Sequence, residues 1–106
     1  MKIEKGSGNV YADLSMAEAN EMFMKGQLAA KISEIIRERN WTQQEAAKVL
    51  GMTQPKLSKM LRGQFRGISE AKMLEYLARL GRHVQIVVGP ACQSDSSGRI
   101  EVVFAV

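Results

Sequence analysis

The chain is poor in the residues on which covalent stapling, metal binding and catalysis depend. Its one cysteine, Cys92, can form no internal disulfide and fits a reducing, cytoplasmic setting. Its one histidine, His83, reads as a strand residue near a helix end, and no residue spacing resembles a zinc site. No serine or cysteine has a base close by in sequence, and Gly6-Ser7-Gly8 lacks the strand and helix that a phosphate-binding loop needs. Neither enzymatic activity nor a cofactor is expected. Long apolar runs are missing as well. The longest covers about five residues, too few to span a bilayer, and Met1 to Gly6 has no apolar stretch like that of a signal peptide. The remaining composition, 45% hydrophobic and 25% charged over 106 residues, is that of one compact globular domain.

Acidic residues are in deficit, 11 against 15 Lys and Arg, for a formal net charge of +4. The deficit is local. Between Thr42 and Arg66 stand five basic residues (Lys48, Lys56, Lys59, Arg62, Arg66) and one acid, Glu45, which accounts for the whole +4. A neutral scaffold with its excess charge in one short segment points to a polyanion-binding face.

Local signals place helices around that segment. Residues 1–14 read as a polar arm in which Val10 to Leu14 can dock on the body. Ser15 with Glu18 forms a capping-box pattern, and Met22, Phe23, Ala29, Ile32, Ile35 and Ile36 recur at helical spacing up to Asn40. Gly26 weakens the middle of that run, so one long helix or two abutting ones are both open. The Met-rich stretch Met16, Met22, Met24 reads as core filling, or alternatively as a partner surface. Thr42 with Glu45 caps a short helix that Gly51 ends, with Trp41 placed to staple onto Ala46. Thr53 or Gln54 caps the next, with Pro55 in its first turn, Met52 placed to staple onto Leu57, and Gly63 at its end. Ser69 caps a last helix to Leu80, with Met73, Leu74, Leu77 and Leu80 inward and Gly81 as its stop. Residues 83–88 and 99–106, separated by Gly89-Pro90 and a polar loop, read as two strands.

Two helices that cross closely around a tight turn need particular residue types. Counting from Gln43 as position one, the fifth position must be small and the ninth must permit a left-handed turn, and they are Ala47 and Gly51. Positions four, eight, ten, fifteen and eighteen must be apolar, and they are Ala46, Leu50, Met52, Leu57 and Met60. The competing reading is a helical hairpin with a solvated basic face.

On Trp41 to Ala47, Leu50 to Gln54 and Leu57 to Gly63, the chain resembles the Xre (phage repressor/Cro-like) family of helix-turn-helix regulators. The likeness covers about Leu28 to Leu80. A narrower one, in Gly8 to Leu14 and Leu77 to Val88, resembles small Xre proteins of the HigA antitoxin type, which are encoded beside a ribosome-dependent RNase toxin. The expected architecture is mainly α. It is a five-helix helix-turn-helix domain over residues 15–82, followed by a two-stranded β-hairpin over 83–106 used for dimerisation.

The resemblance implies that the second helix of the motif lies in the major groove of DNA. Gln54 is then the first candidate for reading a base, by paired hydrogen bonds to adenine. Lys59 can reach guanine or a phosphate, Lys56 and Ser58 stand nearby, and Pro55 can only touch a thymine methyl. Gln43 resembles the family's phosphate-contacting glutamine. Thr42, Thr53, Arg62, Gln64 and Arg66 are further candidates for the backbone, with plain solvated surface as the alternative for the two arginines; Lys48 points either way.

Two strands with apolar residues on both faces cannot form a stable sheet alone in water. Either they pack on their own chain or, as favoured, Val84, Ile86, Val88, Ile100, Val102 and Phe104 meet a second copy. The expected partners are therefore duplex DNA, a second protomer and a small basic toxin, with no membrane. The function expected is a dimeric repressor of a palindromic operator. A protein-binding antitoxin or an RNA-binding module is the alternative.

Overall fold

The computed structural model describes residues 16–91 and 98–105. Among these residues there are four helices: α1 (Met16–Glu38), α2 (Gln43–Leu50), α3 (Gln54–Leu61) and α4 (Glu70–Arg79). Helix α1 packs against α3 and α4, while α2 packs against α3 and α4. The arm read over residues 1–14 and the Ser15 cap lie outside the described residues.

The expected fifth helix is not found among the described residues, where α1 runs unbroken for 23 residues through Gly26. A glycine inside a helix costs about 1 kcal/mol against alanine. On its C-terminal side α1 buries Leu28, Ala29, Ile32, Ile35 and Ile36. Tertiary burial on that scale outweighs one glycine. The run ends at Asn40, which adopts a left-handed φ of 56°.

The cap chemistry appears as the residues dictate. Thr42 Oγ1 accepts a hydrogen bond from the Glu45 amide while the Glu45 carboxylate accepts one from the Thr42 amide, a complete capping box. Of the two candidates for the α3 cap, Thr53 holds the position. Its hydroxyl accepts from the Lys56 amide at 3.3 Å, past Pro55, which has no donor. Ser69 does the same for α4 through the Lys72 amide.

All four helices share one core. Ile32, Ala46, Leu57, Met60, Met73 and Leu80 are fully buried, Tyr76 and Leu50 nearly so, and Trp41 and Met52 pack on its edge. Phe65 and Ile68, in the loop after α3, are buried too. Leu74 is half-buried. Of the Met-rich stretch, Met22 packs against the core, but Met16 is exposed, so core filling holds only in part.

The expected β-hairpin is overturned. Among the described residues there is no strand, and 82–91 and 98–105 run without regular structure. Alternating apolar residues make a strand only when a neighbouring backbone supplies hydrogen bonds. Here Val84 and Val102 pack on the helical core instead, and Phe104 lies under the Lys31 ammonium, 5.0 Å from its ring centre. Ile86, Val88 and Ile100 are left exposed.

Gly51 sits at the turn between α2 and α3 with φ +74°, and its amide bonds to carbonyls at the end of α2. A Cβ there would also come within 2.7 Å of the Arg79 guanidinium, which Glu75 holds in place. That guanidinium can swing aside, so the left-handed backbone dominates the cost. Gly51→Ala should lower unfolding free energy by about 1–2 kcal/mol, measured as a lower urea midpoint with an unchanged slope.

Candidate nucleic-acid interface

Helix α3 separates its residues cleanly. Leu57 and Met60 face the core, while Pro55, Lys56 and Lys59 are exposed and Gln54 and Ser58 are half-buried. Fixing Leu57 and Met60 inside therefore fixes the outward direction of the others, since helical neighbours are 100° apart. Thr53, at the start of α3, is exposed beside them, although its hydroxyl serves the Lys56 amide.

Gln43, the first residue of α2, stands beside Gln54, the first of α3. The Gln54 Nε2 donates to Gln43 Oε1 at 2.7 Å. This leaves Gln54 Oε1, one Gln54 N–H and the Gln43 amide N–H groups pointing elsewhere. Thr42, Gln44, Lys48 and Gln54 line one shallow groove beside this pair. Lys48 thus lies on the Gln54 side of the molecule.

After α3 the chain turns at Gly63, φ +93°, and the Gln64 amide donates to the Lys59 carbonyl. Arg62, Gln64 and Arg66 are exposed along this loop, which Phe65 and Ile68 anchor in the core. The candidate base-facing and backbone-facing residues are thus all on α2, α3, the Thr42 cap before α2 and the two loops that follow these helices. The six candidate dimer residues lie apart in sequence, on the segments after α4, and divide into Val84 and Val102 against the core, Phe104 against Lys31, and exposed Ile86, Val88 and Ile100.

The electrostatics divide the molecule more sharply than sequence counting could. The side chain of every described Lys and Arg outside residues 42–66 has an ion-pair or hydrogen-bond partner. Lys25, Lys31, Lys72, Arg79, Arg82 and Arg99 are in ion pairs; Arg37 donates to Ser33 and Arg39 to the Leu80 carbonyl. Lys72, with Arg79, also holds the Glu75 carboxyl below its ordinary range, chiefly by hydrogen bonding. By contrast, none of Lys48, Lys56, Lys59, Arg62 and Arg66 is in an ion pair among the described residues, and all five are exposed. The described cations with no partner of either kind coincide with the helix-turn-helix face, whereas Arg37 and Arg39, which meet no acid, are each held by a neutral oxygen.

Three supporting residues were not legible as such in the sequence. Lys25 is buried, paired with Glu21 and bonded to the Arg66 carbonyl. Arg79 leans on the Gly51 turn, and Arg39 stacks on Trp41 at 5.1 Å. Only Lys25 carries a sequence signal, the Glu21–Lys25 spacing of a helical ion pair. No group of three or more His, Cys, Asp or Glu residues that could hold a metal occurs among the described residues, and no helix there is long and apolar enough to cross a membrane.

The family model for a helix-turn-helix domain matches residues 10–89. A solved structure classed as an XRE family transcriptional regulator is similar at 32% identity, with a TM-score of 0.76, over 83% of this chain and 99% of that one. A comparison with curated proteins gives no match.

Proposed function

The chain belongs to the XRE family of helix-turn-helix proteins, and on that premise we propose that it is a DNA-binding transcriptional regulator that represses a palindromic operator as a dimer. One observation carries the reading: the five unpaired cations lie on α2, α3 and their loops, and Gln54 and Lys59 project outward between them. In this reading α3 enters the major groove. Gln54 reads adenine, helped by Lys56, Ser58 and Lys59, with Pro55 limited to apolar contact. Thr42, Gln43, Thr53, Arg62, Gln64 and Arg66 follow the phosphates. Such a regulator would act in the cytoplasm.

One head of this size offers few contacts, and two heads about 34 Å apart would read a two-fold site. The second protomer would cover Ile86, Val88 and Ile100, which the fold leaves in water, with Val84, Val102 and Phe104 at the margin.

Selecting bound sequences from a random duplex pool tests this directly. The expected result is a pair of inverted half-sites. Arg62→Ala and Arg66→Ala should each flatten the slope of log affinity against log salt by about 0.9 and weaken all sequences alike. A pool that yields no enriched sequence, or slopes that ignore both arginines, would sink the assignment.

The finer reading is that of an antitoxin which also binds a toxin. Met16 and Phe23, 77% and 68% exposed on α1, supply an apolar face outside the DNA-facing elements for such a partner. Co-purification with a small basic protein encoded next to this one, and rescue of growth from it, would support that role. Failure to bind any such neighbour leaves the repressor alone.

A further inference from the structure

We propose that Lys25, remote in sequence from the helix-turn-helix, is a positioning residue for DNA binding. It fixes the loop after α3 so that Arg66 and Gln64 meet the phosphates; the inference rests on the DNA-binding reading above. A lysine is almost never buried unless its charge is satisfied. Lys25 is 2% exposed, the one charged residue in the described interior. Its ammonium is 3.1 Å from a Glu21 carboxylate oxygen one helical turn away, and donates to the Arg66 carbonyl at 3.1 Å.

The geometry explains why an ammonium belongs there. The loop is anchored by Phe65 and Ile68, one residue before and two residues after Arg66. The Ile68 amide donates to the Phe65 carbonyl, closing a turn around the intervening residues. Apolar burial holds those two side chains but is not directional, so it leaves the peptide plane at Arg66 free to rotate. A hydrogen bond from a charged donor is directional and stronger than a neutral one. Lys25 therefore sets the orientation of the Arg66 carbonyl, and with it the exit direction of the Arg66 side chain, which is exposed and unpaired. Glu21 offsets the buried charge, so the ammonium itself adds little to the field that DNA meets. Its effect on binding passes through Arg66.

Three variants of the full-length protein separate this role from a packing role. Lys25→Met keeps the stem volume and removes the ammonium. Glu21→Gln keeps the volume and removes the counter-charge, which leaves a buried cation without its ion pair and draws the lysine toward solvent. Arg66→Ala removes the residue being positioned. Amide hydrogen exchange of residues 64–68 reports the loop without DNA. Titration of a duplex at several salt concentrations reports the phosphate contacts.

Lys25→Met and Glu21→Gln should both raise exchange at the Ile68 amide and flatten the salt slope by up to about 0.9, close to eightfold in affinity at 0.1 M salt. Lys25→Met combined with Arg66→Ala should bind no worse than Arg66→Ala alone. The sign for Glu21→Gln is diagnostic, because losing an acid would by charge alone strengthen binding to DNA. Unchanged exchange in both variants overturns the positioning role, as does an unchanged salt slope with a loosened loop or full additivity with Arg66→Ala. If Lys25→Met is too unstable to titrate, Glu21→Gln decides. A wild-type protein with no salt-dependent affinity for duplex refutes the DNA reading and the positioning role with it, while exchange at residues 64–68 still reports the Lys25 contact.

Discussion

A Leu57→Ala protein should lose about 2–5 kcal/mol of unfolding free energy, a large share of the 5–15 kcal/mol typical of a whole domain. Leu57 is fully buried on the inner side of α3 and is part of the core shared by all four helices. Its truncation leaves a cavity between α3 and the helices it packs against, α1 and α2. In a thermal scan the midpoint should fall by roughly 10 °C or more. Well below that midpoint the variant should still bind DNA with its normal salt slope, since no outward-facing group has changed. Val49→Ala is the control. Val49 is 37% exposed on α2, and losing two carbons there, against three at Leu57, should cost about 1 kcal/mol or less. Equal costs at the two positions would refute the inward placement of Leu57, on which the outward direction of Gln54 and Lys59 depends.

The second large effect concerns recognition. Gln54→Ala should lower discrimination at one base pair in each half-site by about 1–3 kcal/mol and leave the salt slope nearly unchanged. Its amide is held from one side by the Gln43 oxygen, which orients its remaining donor and acceptor. Gln43→Ala should therefore reproduce part of the loss of discrimination and in addition flatten the slope. Competition between the preferred duplex and one changed at a single base pair measures both. Gln54→Ala with full discrimination retained would remove it from the list of base readers.

The sequence disclosed the parts of this molecule that are set within three or four residues. Thr42 with Glu45, Thr53 reaching past Pro55 to Lys56, and Ser69 with Lys72 are local hydrogen bonds, so their spacing was enough to find them. Gly51 belongs with them, because a left-handed turn is a property of one residue. What stayed hidden depends on contacts across the chain. Gly26 signals a break, yet α1 continues because the residues after it have a core to enter. Lys25 meets Arg66, 41 positions away, and no periodicity announces that. Phe65 and Ile68 stand in a loop and look like exposed connectors until the fold encloses them. The apolar alternation after α4 suggests a hairpin for the opposite reason. Its pattern is genuine, but Val84 and Val102 answer it by lying on helices rather than on each other's strand.

The first residues of α2 and α3 are bonded to each other by the fold itself. Two long amide side chains have thus given up much of their rotational freedom during folding rather than on encounter. On the regulator reading, a protein sliding along unrelated duplex meets every step with its reading amide already aimed. Searching then needs no rearrangement between landing and inspection, and the rate of finding an operator should be limited by travel along the duplex.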